Sequence, residues 1–209
     1  QATVLLLGET GTGKGVIARL IHALSPQKDG PYVSIHCGAI PETLIESELF
    51  GHEKGSFTGA GKRQLGKFEL GAKGTVLLDE IGTIGPSTQI KLLQVLHDKV
   101  FHRIGGDKEI PLESRIIAAT NVDLKTLKEE GTFRSDLYYR LNVFPIDIPP
   151  LRDRKEDVLT LAEHFLQRLD ALQIKEIHGF HPIVIEELES YQWPGNVREL
   201  ENIIERAFL

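Results

Sequence analysis

Residues 8–15 read Gly8-Glu9-Thr10-Gly11-Thr12-Gly13-Lys14-Gly15, and this octapeptide decides the fold. It follows an apolar run at 3–7 (TVLLL) with the length and composition of a fully buried strand. It precedes Val16, Ile17, Leu20 and Ile21, which recur at helical spacing in a helix predicted over 16–23. Strand, glycine-rich turn and helix form the context that a phosphate-binding loop requires. Gly8, Gly11 and Gly13 let the backbone wrap closely around phosphate oxygens. The N–H groups opening the helix point at the anion, and the helix dipole favours it. Lys14 supplies a point charge for the β- and γ-phosphates, and Glu9, Thr10, Thr12, Gly15 and Val16 fall in the same nucleotide-contacting segment. The hydroxyl residue that usually follows the lysine and touches Mg²⁺ is replaced by Gly15.

Outward from the loop, strands and helices alternate. Tyr32–His36 reads as a second strand, 43–50 as a helix, and 74–80 (GTVLLDE) as a third strand ending in two carboxylates. Pro86 opens a helix running to 98, as suits proline in a first helical turn. A fourth strand at 114–120 (SRIIAAT) ends at Asn121, and Asp123 caps a helix that stops at Gly131. A helical stretch at 134–142 and a fifth strand at 143–148 follow. This alternation implies an α/β fold with a largely parallel, helix-covered sheet. After Pro149-Pro150 only helices are predicted, at 157–172, 182–191 and from Asn196 onward. Asn196-Val197-Arg198-Glu199 has the form of a capping box, followed by an apolar stripe of Val197, Leu200, Ile203, Ile204 and Ala207. The division expected is an α/β domain at 1–150 and a small all-helical domain at 151–209. Residues 51–66 carry Gly51, Gly55, Gly59, Gly61 and Gly66 and read as a long polar loop outside the core. Loops of that length inside a compact domain are usually functional.

Bulk properties exclude several classes. With 41% hydrophobic and 26% charged residues, the 209-residue chain is an ordinary globular one, long enough for a substantial core. A net charge of −6 argues against nucleic-acid binding by bulk electrostatics. No apolar run approaches the ~18–20 residues of a membrane span, and no signal peptide is visible. Cys37 is the only cysteine, so no internal disulfide forms and a reducing, cytoplasmic setting is expected. There is no methionine, even at position 1, so a fragment of a longer protein is expected.

Asp79 and Glu80 sit at the tip of a buried strand, where ligands of parallel sheets bind. Asp79 would hold Mg²⁺ through water and Glu80 would polarise an attacking water. A solvated acidic turn explains the pair alone, but not its company with the glycine loop. Asn121 could orient that water or sense the γ-phosphate, and a turn-forming Asn explains it equally well. Arg134 and Arg140 are six residues apart on a helical segment and do not share one face perfectly. They are either solvated or stabilise a transferred phosphoryl group, from a neighbouring subunit if necessary. Arg198 could reach the nucleotide from the helical domain, or lie on the surface beside the capping box. His36-Cys37 holds no metal, since there is no second cysteine and no suitably spaced histidine pair. His97 and His102 read as solvated.

Taken together, these strings resemble the AAA+ ATPase domain of sigma-54-dependent transcription activators, the bacterial enhancer-binding proteins of the nitrogen regulatory protein C type. The resemblance covers essentially the whole chain. Gly8–Lys14 is similar to the family's Walker A and 74–80 to its Walker B. Glu53-Lys54-Gly55-Ser56-Phe57-Thr58-Gly59-Ala60 resembles the GAFTGA loop, with Ser56 in the Ala place. That string is highly specific, because other AAA+ branches lack it. Ala118-Ala119-Thr120-Asn121 resembles sensor I, 133–142 the arginine-finger segment, and 193–202 the sensor II helix. The resemblance implies an AAA+ P-loop fold with a helical lid, ATP and Mg²⁺ as ligands, and a homo-oligomeric, usually hexameric, ring. It implies that Arg134 and Arg140 act in trans. The loop from Gly55 to Ala60, with Phe57 and Thr58, would touch sigma-54 in the closed RNA polymerase complex, and ATP hydrolysis would drive remodelling. DNA would be bound only through a domain outside this chain.

Two positions depart from the family. Glu usually follows the Walker A lysine, where Gly15 stands, and Asn usually ends the second strand to contact the Walker B glutamate, where His36 stands. Both bear on hydrolysis more than on nucleotide binding. The alternatives are therefore a nucleotide-binding regulatory module that hydrolyses poorly, and another kind of AAA+ remodeller.

Overall fold

The structure, a computed structural model, describes residues 2–170, 177 and 179–208. The first half contains β1 (Val4–Leu7), α1 (Lys14–Ala23), β2 (Tyr32–His36), α2 (Glu42–Phe50), β3 (Gly51–His52), β4 (Gln64–Leu65) and α3 (Lys67–Leu70). Then come β5 (Thr75–Asp79), α4 (Pro86–Asp98), β6 (Val100–Phe101), β7 (Ile110–Pro111), β8 (Arg115–Thr120), α5 (Leu124–Glu129), α6 (Ser135–Leu141) and β9 (Phe144–Asp147). The chain finishes with α7 (Glu156–Asp170), α8 (Pro182–Ser190) and α9 (Asn196–Phe208).

Five strands form a parallel sheet in the order β2-β5-β8-β1-β9. Its central strands are near-continuous apolar runs, with Val76, Leu77 and Leu78 of β5, Ile116 to Ala119 of β8 and Val4 to Leu6 of β1 all buried. Burial on both faces is what an all-parallel sheet demands, and helices supply the cover. Each large side chain removed from water there contributes about 1.5–3 kcal/mol. Phe50, Phe68 and Phe101 meet in a tilted cluster, with centroids 5.7, 5.8 and 6.4 Å apart, that joins α2, α3 and β6 to the same core. The register pairs His36 with Asp79 and Leu7 with Thr120, so four strands end along one edge of the sheet. That carboxyl edge is where open α/β sheets take ligands.

By Cα proximity the chain groups into two compact units. One comprises Gln1–Leu7 and Gly15–Ile146, and the other comprises Gly8–Lys14 with Asp147–Leu209. The second unit has its own core, in which Trp193 is buried among Leu151, Val158, Phe165, Leu188, Leu200, Ile204 and Phe208. The indole N–H donates to Leu188 O at 2.8 Å, which satisfies the one polar atom of that side chain.

Several local expectations are met. Asp123 Oδ1 accepts from Lys125 N–H at 2.9 Å and caps α5, Gly131 closes the segment at φ 74°, and Pro86 opens α4. Others are corrected. On α1, Val16 and Leu20 are 70% and 51% exposed, whereas Ala18 is fully buried, so the small side chain marks the inner face. The helix expected to reach 172 is described to Asp170, and 171–172 lie outside the described residues. Residues 51–66 are not all loop. Their ends pair as the antiparallel β3–β4 ladder, and Gly51, His52 and Ala60 are buried. Asn196 is not a cap. It adopts φ 53°, is fully buried, and turns its amide to long-range partners. The predicted box does not form: Glu199 Oε2 accepts from Gly195 N–H at 2.8 Å, and Asn196 N–H donates to Trp193 O at 2.8 Å.

Candidate nucleotide site

The glycine loop is shaped by backbone that only glycine adopts easily. Gly8, Gly11 and Gly13 have φ of 155°, 81° and 101°. A Cβ on Gly8 would stand 2.8 Å from Ile148 O, and one on Gly11 would run into Gly195 O and lie 3.3 Å from Arg198 Cβ. Gly13 and Gly15 face open space. Lys14, largely buried, donates from Nζ to Gly8 O at 2.7 Å and Glu9 O at 2.8 Å, so its charge is held across the mouth of the loop. Thr12 Oγ1 donates to Glu9 O at 2.8 Å.

Side chains of the helical unit hold the loop's outer rim. Arg152 grips Glu9 with both terminal nitrogens, at 2.9 Å to Oε2 and 2.5 Å to Oε1. Asn196 Nδ2 donates to Glu9 Oε2 at 3.2 Å and Thr10 O at 3.0 Å, while its Oδ1 accepts from Leu151 N–H at 2.8 Å. Val197 N–H donates to Gly11 O at 3.0 Å, and Arg154 Nη2 to Thr12 O at 2.9 Å. Hydrogen bonds from Arg152 and then Asn196 lower the Glu9 carboxyl to about 2. Arg152 and Arg154 were not found by reading the sequence, because their partners lie over a hundred residues away. The signal they offered was the string Leu151-Arg152-Asp153-Arg154.

At the carboxyl edge of the sheet, Asp79 Oδ1 accepts from Glu80 N–H at 3.0 Å. Glu80 adopts a left-handed φ of 55°, and its carboxylate lies over Gly38, where any Cβ would collide with it. His36 stands between the two acids, with Nδ1 3.4 Å from Asp79 Oδ2 and Nε2 3.4 Å from Glu80 Oε2. Asn121 is exposed just past β8 on the same edge. Among the described residues no cluster of three metal-ligating side chains exists.

The two arginines lie on the surface of the first unit. Arg134 is paired with Asp136, at 3.0 and 2.7 Å. Arg140 is bonded to Leu96 O. Arg198 is exposed in the first turn of α9, beside Gly11.

The segment from Gly55 to Ala60 forms a tight tip. Gly55 N–H donates to Ala60 O at 2.8 Å and Ala60 N–H to Phe57 O at 3.0 Å, with Gly55 and Gly59 at φ 83° and 105°. Ser56 packs where a Cβ on Gly105 would stand, 2.6 Å from its own Cβ, and Thr58 is exposed. Phe57 is 38% exposed and sets its ring edge-on to the buried His52 at 5.0 Å, and His52 Nδ1 is bonded to Ser47 Oγ at 2.7 Å. Beneath the loop, Arg103 is buried between Glu53 and Glu69. Arg103 lies in the 102–109 turn of a β6–β7 hairpin that the sequence reading missed.

The Sigma-54 interaction domain family matches residues 1–147. The chain belongs to the sigma-54 interaction domain family. The AAA+ ATPase lid domain matches residues 152–209. The chain is 55% identical over 209 residues to the DNA-binding transcriptional activator HyfR of Escherichia coli, covering all of this chain and 31% of that protein. It is 54% identical to the nitrogen fixation protein VnfA of Azotobacter vinelandii, again over the whole chain and 40% of the relative. It thus spans less than half the length of these curated relatives. The structure of NtrX from Brucella abortus in complex with ATP superposes with a TM-score of 0.90 at 36% identity, over 98% of this chain and 46% of that one. A likeness to Hsp104, at TM-score 0.71 and 18% identity, shows the shared AAA+ fold alone. No described helix is long and apolar enough to cross a membrane.

Proposed function

We propose that this chain is an ATPase domain that binds ATP with Mg²⁺, assembles into a homo-oligomeric ring and remodels the sigma-54 RNA polymerase closed complex. The observation that carries the reading is the glycine loop at 8–14, with three positive-φ glycines and Lys14 across its mouth, in a chain whose structural neighbour NtrX is known in complex with ATP. In this reading a core at 1–150 works with a lid at 151–209, in the cytoplasm. The amides of residues 8–14 and Lys14 hold the phosphates. Asp79 takes Mg²⁺ through water, which supplies charge neutralisation at the phosphates. Glu80 polarises the attacking water and Asn121 orients it. Arg134 and Arg140 of a neighbouring copy and Arg198 of the lid face the transferred phosphoryl group. Phe57 and Thr58 at the loop tip are offered to sigma-54, with Gly55 and Gly59 as flexible flanks.

A second reading, a nucleotide-binding module with weak hydrolysis, is favoured by one observation. The His36 ring contacts both acidic side chains at 3.4 Å, and it could hold Glu80 away from water. Measuring ATP binding and ATP turnover on the same purified chain separates the two. Turnover abolished by Glu80→Gln supports the enzyme, and binding without turnover in the parent supports the module.

A further inference from the structure

Four consecutive loop residues each hand an acceptor to the helical unit. These are the Glu9 carboxylate and the carbonyls of Thr10, Gly11 and Thr12. The donors are Arg152, Asn196, the Val197 amide and Arg154. A trans peptide is planar, so the C=O of one residue and the N–H of the next lie in one plane and point in opposite directions. Fixing the carbonyls of residues 10, 11 and 12 toward the helical unit therefore fixes the amides of 11, 12 and 13 away from it. The Thr12 amide is in part turned inward, 3.4 Å from Glu9 O. The amides of Gly11 and Gly13 remain, on residues whose backbone would otherwise sample both signs of φ.

We infer that Asn196 and Arg154, each bonded to a loop carbonyl, and Arg152, through its hold on the Glu9 carboxylate that Asn196 shares, are positioning residues that aim the Gly11 and Gly13 amides at a phosphate. The inference rests on the nucleotide reading above for the identity of the anion, and on the hydrogen bonds alone for the aim. The two arginines act differently. Arg154 reaches the Thr12 carbonyl through Nη2 alone, a task a lysine ammonium can perform, while its Nη1 lies 3.4 Å from Asp157 Oδ2 three residues on. Arg152 holds both oxygens of Glu9 with a planar fork, which lysine cannot reproduce. Asn196 is fully buried, so its replacement risks the fold and is not used as the test.

The test measures ADP binding by calorimetry, and amide hydrogen exchange of the nucleotide-free chain, in parent, R152Q, R152K, R154Q and R154K. Circular dichroism first establishes that each variant is folded at the working temperature. The expected result is ADP binding weakened about tenfold in R152Q, R152K and R154Q, with R154K near the parent value. Exchange at Gly11 and Gly13 should be faster in the same three variants. Unchanged exchange at both glycines, with ADP binding within about twofold of the parent in every folded variant, would overturn the inference. A merely structural role would lower the melting temperature without this Arg/Lys pattern and so would also count against it. If the parent binds no ADP, the nucleotide reading fails, and the exchange pattern alone decides whether these residues aim the loop.

Discussion

Arg140 donates from Nε and Nη2 to the carbonyl oxygen of Leu96, at 3.2 and 2.9 Å. Arg134 is likewise occupied within its own chain, by Asp136. Service to a neighbour's nucleotide requires Arg140 to exchange a carbonyl for a phosphate, a charged acceptor that binds more strongly, and Arg134 to exchange one charged acceptor, the Asp136 carboxylate, for another. Arg134→Ala and Arg140→Ala are predicted to cut ATP turnover while the subunit stays folded. Arg140→Ala should lose about 1 kcal/mol of stability with its bond to Leu96. Specific activity of the parent should rise steeply with protein concentration. Activity that stays flat on dilution through ring dissociation would rule out action in trans.

Gly15 lies in the first turn of α1, which carries no acidic residue, and a Cβ there meets no atom within 4 Å. Gly15→Glu should gain up to ~1 kcal/mol from helix propensity and ~0.3–1 kcal/mol from the dipole. For a chain of this size that is a melting rise of about 2–4 °C per kcal/mol. The Mg²⁺ dependence of nucleotide binding should shift as well. Identical melting and an identical Mg²⁺ titration would show the position to be inert.

The Glu9 carboxyl, gripped by Arg152 and Asn196, titrates at about 2 instead of its ordinary 4.5. Between those values the unfolded chain binds a proton that the folded chain does not, so stability rises with pH across the window. The contribution is complete above the upper value and is lost as pH falls through the lower one. Urea midpoints measured from about pH 5 down to about pH 2 should fall less steeply in Glu9→Gln than in the parent. Parallel curves would remove Glu9 from the acid response.

Much of this was legible in the sequence, for physical reasons. Apolar runs of five or six residues mark strands buried on both faces, and Asp123, Pro86 and Gly131 punctuate helices through local hydrogen bonds and backbone geometry. The two-residue strands β3, β4, β6 and β7 are too short for any periodicity. The exposed Val16 and Leu20 show that apolar spacing alone does not say which face of a helix is inner. The residue type of Asn196 pointed to a cap, and its left-handed backbone and its bonds to Glu9 and Thr10, 187 and 186 residues away, left no mark in the local sequence. The roles of Arg103 and Arg152 depend in the same way on carboxylates distant in the chain.

Phe57 combines exposure with an anchor, its edge-on contact with His52. An aromatic pair of this kind contributes about 0.5–1.5 kcal/mol, so Phe57→Ala should melt only slightly lower. ATP binding and ring assembly should persist, and capture of sigma-54 in the presence of a transition-state analogue of ATP should be lost. A mutant that melts several degrees lower yet still captures sigma-54 would make Phe57 a packing residue.

The most direct test of the account is ATP hydrolysis by the parent chain and by Glu80→Gln, assayed side by side with ATP binding. Glu80 stands at the carboxyl edge of the sheet with its carboxylate over Gly38 and beside His36. The parent should bind and turn over ATP, and Glu80→Gln should bind ATP with similar affinity and lose turnover. Unchanged hydrolysis in Glu80→Gln, or a parent chain that binds ATP and never hydrolyses it, would contradict the account.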